Sequence, residues 1–155
     1  MTHTSKLIHR QGDLLALAEA GEFTMVVHGC NCFCTMGGGI AAQIAKRYPS
    51  AYRADCKTDT GDFNKLGTFT YVNTDKFTII NAYTQFNMSR GEDVFEYTAF
   101  ELILQKLGRY KNHKIGIPYI GMGLAGGDKD RIIKIIENFA DTVGNNNTVT
   151  LVEFV

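Results

Sequence analysis

Two glycine clusters constrain this chain more than any other feature: Gly37-Gly38-Gly39, and Gly121-Met122-Gly123-Leu124-Ala125-Gly126-Gly127. Each follows an apolar run and precedes a stretch of helical spacing. Before the first, Thr24-Met25-Val26-Val27-His28-Gly29 lacks polar alternation, as a strand covered on both faces requires. After it, Ile40, Ala41, Ile44, Ala45 and Tyr48 form a helical stripe ended by Pro49, which can itself open a short helix reaching Cys56. Before the second, Lys114 to Ile120 reads as a strand. After it, Asp128 can cap a helix whose broad apolar face is Ile132, Ile133, Ile135, Ile136, Phe139 and Val143. Open α/β sheets bind ligands where the carboxyl ends of their strands hand over to helices. Glycine at such a place either makes a tight turn or lets an anion reach the unpaired N–H groups of a helix start. The turn explains one cluster well enough; two clusters in equivalent places favour a ligand.

The rest of the chain supplies the remaining layers. Leu7-Ile8-His9 is a short strand that turns at Gln11-Gly12-Asp13 into a helix marked by Leu14, Leu15, Leu17 and Ala18. Lys65 to Asn73 and Phe77 to Ala82 are strands joined by Asn73-Thr74-Asp75-Lys76, which predicts an antiparallel hairpin. Phe95 to Leu107 is helical, and Thr148 to Phe154 is a last strand. This order predicts an α/β domain over residues 1–155, with a mixed central sheet of about six strands between helices.

Composition narrows the function classes. The chain has 155 residues, 45% of them hydrophobic, enough for one substantial core. Lys and Arg number 16, as do Asp and Glu, so no positive excess exists to neutralise a nucleic acid in bulk. No apolar run approaches membrane length and Met1 to Lys6 lacks a signal-like core, so a cytoplasmic monomer with no membrane partner is expected. Cys30, Cys32 and Cys34 alternate, whereas structural zinc sites prefer pairs two to four residues apart; they are read as reduced thiols at a strand end, with no metal and no cofactor expected.

Gly121-Met122-Gly123-Leu124-Ala125-Gly126 matches the dinucleotide fingerprint in form. A P-loop is excluded because Gly127-Asp128 stands where Lys and Ser or Thr must reach phosphate and magnesium. A dehydrogenase fits poorly, because only one helix and one strand follow the motif.

Together, Gln11-Gly12-Asp13-Leu14-Leu15, Val26 to Ala41 with Asn31 and the glycine triplet, and Ile117-Pro118-Tyr119-Ile120-Gly121 to Asp128 resemble the macro domain family. The second loop has the form found in the ADP-ribose-1''-phosphate phosphatase-like branch. The resemblance spans nearly the whole chain and implies a three-layer fold that binds ADP-ribose. It also implies that Gly12, Asp13 and Leu14 meet the adenine, with Asp13 accepting from its amino group. Asn31 would contact the distal ribose, Gly37, Gly38, Gly39 and Ile40 would surround that ribose and the adjacent phosphate, and Ile120, Gly121, Met122, Gly123, Leu124, Ala125 and Gly126 would cradle the diphosphate. Phe154 is the candidate to stack on adenine, against the alternative of core packing.

The activity the resemblance implies is release of phosphate from ADP-ribose-1''-phosphate. His28, Asn31 and Asp128 are the candidate catalytic residues. His28 is chosen because an imidazole titrates near neutrality, and its alternative is a histidine bonded within the sheet. Asp128 has the alternative of a helix cap. Removal of ADP-ribose from an acceptor is a second activity in the family, through a lysine and an aspartate. Here Ala125 occupies the aspartate position and Ile79 to Met88 contains no lysine, so that chemistry would need water and Asn31. A non-catalytic ADP-ribose reader or scavenger is the third reading.

Overall fold

The computed structural model of the chain describes residues 4–88, 93–123 and 125–155. Its strands are β1 (Ile8–Gln11), β2 (Met25–Cys30), β3 (Phe69–Asn73), β4 (Thr78–Tyr83), β5 (Lys114–Pro118) and β6 (Thr148–Glu153). Its helices are α1 (Leu14–Glu19), α2 (Gly39–Arg47), α3 (Pro49–Cys56), α4 (Tyr97–Leu107) and α5 (Lys129–Thr142), with a single 3₁₀ turn at Phe63–Lys65. The strands form one sheet in the order β1-β6-β5-β2-β4-β3. Every pairing is parallel except β3 with β4, the hairpin expected from its turn composition.

Period-two alternation along the central strands divides the core in two. Met25 and Val27 of β2, Ile80 of β4, Ile115 and Ile117 of β5 and Leu151 of β6 pack with α4 and α5 through Phe100, Ile103, Leu107, Ile132 and Ile136. Val26, Ile79 and Val152 face the other way and pack with Leu15, Ala18, Ile44 and Ala51 of α1, α2 and α3. A sheet covered on both faces explains why β2 and β4 read as unbroken apolar runs.

Element ends shift from the sequence pattern where tertiary contacts take over. Phe95 does not begin α4: it forms a lone antiparallel bridge with Gln85, and the helix starts at Tyr97. β5 stops at Pro118 because the chain turns there, with Ile120 N–H bonding back to the Pro118 carbonyl at 2.6 Å. Lys65 lies in the 3₁₀ turn rather than in β3, with its side chain buried. Among the described residues, no helix is long and apolar enough to cross a membrane.

Candidate functional site

A cleft of about 520 Å³ opens at the carboxyl ends of the parallel strands. Val152 and Phe154 line one end, at the close of β6; Gln85 and Met88 lie at the other, after β4. Between them the first glycine loop contributes Asn31 and Thr35 to Ala41, and the second contributes Tyr119, Ile120, Gly121, Gly123 and Ala125. Four strands at about 4.8 Å spacing give the cleft a span of roughly 14 Å, enough for an extended dinucleotide-sized ligand.

The helix starts near the sheet's carboxyl edge are treated differently. Asp13 caps α1, its Oδ1 accepting from Leu15 N at 3.0 Å and Ala16 N at 3.2 Å. Asp128 caps α5 by accepting from Arg131 N at 3.0 Å. α2 begins on Gly38, which has no side chain to offer its first-turn N–H groups, and no acidic residue lies in that turn. Those N–H groups, at Gly39, Ile40 and Ala41, belong to residues that line the cleft. Unpaired donors and the positive dipole end give this place the chemistry that suits an anion. Across the cleft, the N–H groups of Gly121, Gly123 and Ala125 have no backbone partner among the described residues.

Beside the α2 start, Asn31 Nδ2 donates to Thr35 Oγ1 at 2.6 Å and Asn31 Oδ1 accepts from Phe33 N at 2.8 Å. The asparagine thus shapes the loop, and Thr35, its oxygen occupied as acceptor, keeps its hydroxyl proton for a ligand. Below the loop, the three cysteines diverge. Cys32 Sγ donates to the Gln85 carbonyl at 3.5 Å, Cys34 Sγ donates to the Asp55 carbonyl at 3.2 Å, and Cys30 lies against the His28 ring. Burial pushes the Cys30 thiol well up and the Cys32 thiol to about 11, so both stay protonated donors. Among the described residues no set of three or more His, Cys, Asp or Glu side chains is arranged to hold a metal. Buried Lys65 donates to the Cys32 carbonyl at 3.2 Å and stands 4.7 Å from the centre of the Tyr83 ring, pinning the base of the loop. Tyr83 in turn donates to Asp55 Oδ1 at 2.7 Å; burial raises the phenol, which keeps it a donor.

Of the expected site residues, Asn31, Gly37, Gly38, Gly39, Ile40, Ile120, Gly121, Gly123, Ala125 and Phe154 line the cleft. Gly12, Asp13, Leu14, Met122 and Gly126 are not part of that lining, and Leu124 lies outside the described residues. Gly12 nevertheless borders the β6 end, donating to the Glu153 carbonyl at 2.9 Å, while Leu14 is buried in the core.

His28 has to be reassigned. It shares the face of Val26, is 0% exposed, and shares a 2.7 Å hydrogen bond between Nε2 and Asn81 Oδ1; Asn81 Nδ2 donates to the Ala51 carbonyl of α3. It lies two residues short of the end of β2, under α3 and outside the cleft lining. Burial lowers its pKa to about 4 against the partial support of Asn81, so it is neutral at physiological pH. Asp128 is also outside the lining, its carboxylate committed to the α5 cap. Sequence reasoning missed Thr35, Asp55, Gln85 and Tyr119, all of which line the cleft. Thr35 sits four residues after Asn31 inside the quoted motif and was within reach; Asp55 and Gln85 arrive through tertiary packing.

The chain thus has a three-layer α/β fold with two glycine loops on one cleft. Its family is specific: the macro domain model matches residues 27–136, and the chain belongs to that family. It is 35% identical over 154 residues to an uncharacterised 17.5 kDa protein of the tk-vs intergenic region of Enterobacteria phage T4, covering 93% of this chain and 94% of that protein. It is 29% identical over 133 residues to an ADP-ribose 1''-phosphate phosphatase of Lodderomyces elongisporus, covering 75% of this chain and 81% of that one. Among solved structures, the macrodomain of Mycobacterium tuberculosis DarG superposes with a TM-score of 0.75 at 22% identity, covering 94% of this chain and 97% of that one.

Proposed function

We propose that this macro domain binds ADP-ribose in the cleft and hydrolyses ADP-ribose-1''-phosphate to ADP-ribose and inorganic phosphate. The observation that carries the binding is the uncapped start of α2 facing the second loop's free N–H groups, two sets of backbone donors about one diphosphate. The adenosine would lie toward Phe154, which is 73% exposed and free to stack, and the distal ribose toward Asn31 and Thr35. The phosphatase activity is supported by the name of the yeast relative. Phosphoryl transfer rests mainly on positioning and on donors aimed at the equatorial oxygens. In this reading, the α2 N–H groups hold the diphosphate and the Thr35 hydroxyl, kept in place by Asn31, donates to the phosphoryl group on the distal ribose. Water attacks phosphorus, the bond to the sugar oxygen breaks, and the sugar leaves as its alcohol after gaining a proton.

The displacement of His28 and Asp128 from the cleft favours one second reading, a reader that binds ADP-ribose without turnover. Phosphate release from ADP-ribose-1''-phosphate, measured beside calorimetry with ADP-ribose, separates the two. Tight binding with no phosphate released selects the reader, and no binding of either compound rejects both.

A further inference from the structure

The binding reading leaves the thiols unused, and two of the four stand apart from the others. Cys30 and Cys32 are buried beneath the first glycine loop, whereas Cys34 is half-buried and Cys56, the last residue of α3, is exposed. The Cys34 sulfur brackets Cys56: it donates to the Asp55 carbonyl at 3.2 Å and lies 3.7 Å from the Thr58 hydroxyl. A peptide oxygen stands about 2.8 Å from the next Cα, which puts the Cys34 sulfur within about 6 Å of the Cys56 Cα. The Tyr52 phenol is raised from its ordinary value first by a hydrogen bond with Cys56 and more weakly by Cys34, so one hydroxyl senses both thiols. Lys65 Nζ and the Thr60 hydroxyl each donate to the Cys34 sulfur at 3.7 Å. A cation and a hydroxyl on a sulfur stabilise the negative charge through which it attacks an electrophile. Cys34 also has φ +58°, a backbone conformation that side chains rarely adopt and that gathers at functional and switch positions.

We propose that Cys34 and Cys56 are a peroxide-sensitive dithiol that closes into a disulfide and ties the first glycine loop to the end of α3. The Cys34 sulfur attacks one oxygen of hydrogen peroxide; the S–O bond forms, the O–O bond breaks, and the departing hydroxide takes the thiol proton to leave as water. The Cys56 sulfur then attacks the resulting sulfenic acid, the S–S bond forms, and the sulfenic oxygen leaves as a second water with the Cys56 proton. Two thiols are oxidised and one peroxide is reduced. Cys56 can make the approach because it is exposed and ends its helix, where helices fray. Closure forfeits the bond from the Cys34 thiol to the Asp55 carbonyl and moves the backbone next to Thr35, which Asn31 otherwise holds. The closed loop therefore binds ADP-ribose more weakly; this consequence rests on the functional reading above, whereas formation of the disulfide does not.

The test is peptide mapping of the full chain after near-stoichiometric hydrogen peroxide, beside calorimetry with ADP-ribose on the reduced and oxidised forms. The parent should yield a Cys34–Cys56 cross-linked peptide pair within one chain, reversed by dithiothreitol, with Cys30 and Cys32 still free. In Cys56→Ser, Cys34 should stop at the sulfenic acid, trapped by dimedone; in Cys34→Ser, Cys56 should remain a thiol. Cys56→Ser changes an exposed position and keeps the test open should Cys34→Ser fail to fold. A bridge that includes Cys30 or Cys32, a bond only between two chains, or four free thiols after treatment overturns the proposal. The oxidised parent should bind ADP-ribose about fivefold more weakly than the reduced one, with affinity restored by dithiothreitol. Equal affinities of the two forms overturn the coupling of the dithiol to the cleft. A chain that binds no ADP-ribose in either form rejects the functional reading, while the peptide map still decides the dithiol.

Discussion

In the first glycine loop, a Cβ added at Gly37 would meet nothing nearer than the Thr35 carbonyl at 3.8 Å; in the second, one added at Gly121 would stand 2.3 Å from the Phe95 ring. One added at Gly127 would lie 2.6 Å from the Gly121 carbonyl. Two loops that look alike in sequence therefore need glycine for different reasons. The first is open around Gly37 and Gly39, although Gly39 also takes a left-handed φ of +56°. The second is locked at its base, where Gly121 also has φ +73°, while its tip at Gly123 is open. One loop is built around access and the other around packing.

The largest expected effect tests the locked loop. Gly121→Ala should destabilise the fold by about 3 kcal/mol or more, because the Phe95 ring must move and the left-handed backbone is strained. A urea titration that finds a loss below about 1 kcal/mol would break the contrast between the loops.

Next comes the floor between them. His28 titrates near 4 when folded and near 6.5 when unfolded, so between those values the unfolded chain binds more protons and stability rises with pH. Its contribution to the loss between pH 7 and about 4.5 should be about 2 kcal/mol. Comparing the pH slope of the parent with that of His28→Gln isolates it, and equal slopes would refute the burial argument.

Gly37→Ala should reverse the pattern of Gly121→Ala. Stability should stay within about 0.5 kcal/mol, while ADP-ribose affinity falls by about tenfold because the new methyl group enters the approach to the donors. Calorimetry and melting on the same sample check both halves. The smallest effect belongs to Phe154→Ala, which should cost about 1 kcal/mol of ADP-ribose affinity if the ring stacks on adenine. Its stability should barely change, given its exposure.

The fold was legible because its signals are local: buried β-branched runs, apolar stripes at helical spacing, and turns rich in Asn, Asp and Gly. Position in the cleft was legible where glycines mark a strand-to-helix turn, as at Gly38, Gly39, Gly121 and Gly123. Side-chain roles were not. His28 and Gly29 are neighbours in sequence, but only Gly29 lines the cleft: Gly29 and Cys30 end β2 at its rim, whereas His28, one step earlier, is fully buried against Asn81. Asp55 is twenty-four positions from Asn31 and reaches the same cleft only because α3 packs over β4 and Tyr83 captures its carboxylate. No local pattern encodes that meeting.

The placement of β6 has a consequence for the order in which this site comes into being. β1 is paired to β6, which lies between it and β5, with Ile8 opposite Thr150 and Gln11 opposite Glu153. During synthesis, β1 thus has to wait for β6, 142 positions later. A ribosome-bound intermediate could assemble β2, β4 and β5 with the start of α2 while the wall carrying Val152 and Phe154 was still missing. Such an intermediate would carry the α2 start before Val152 and Phe154 arrive, so the cleft is completed only when β6 pairs.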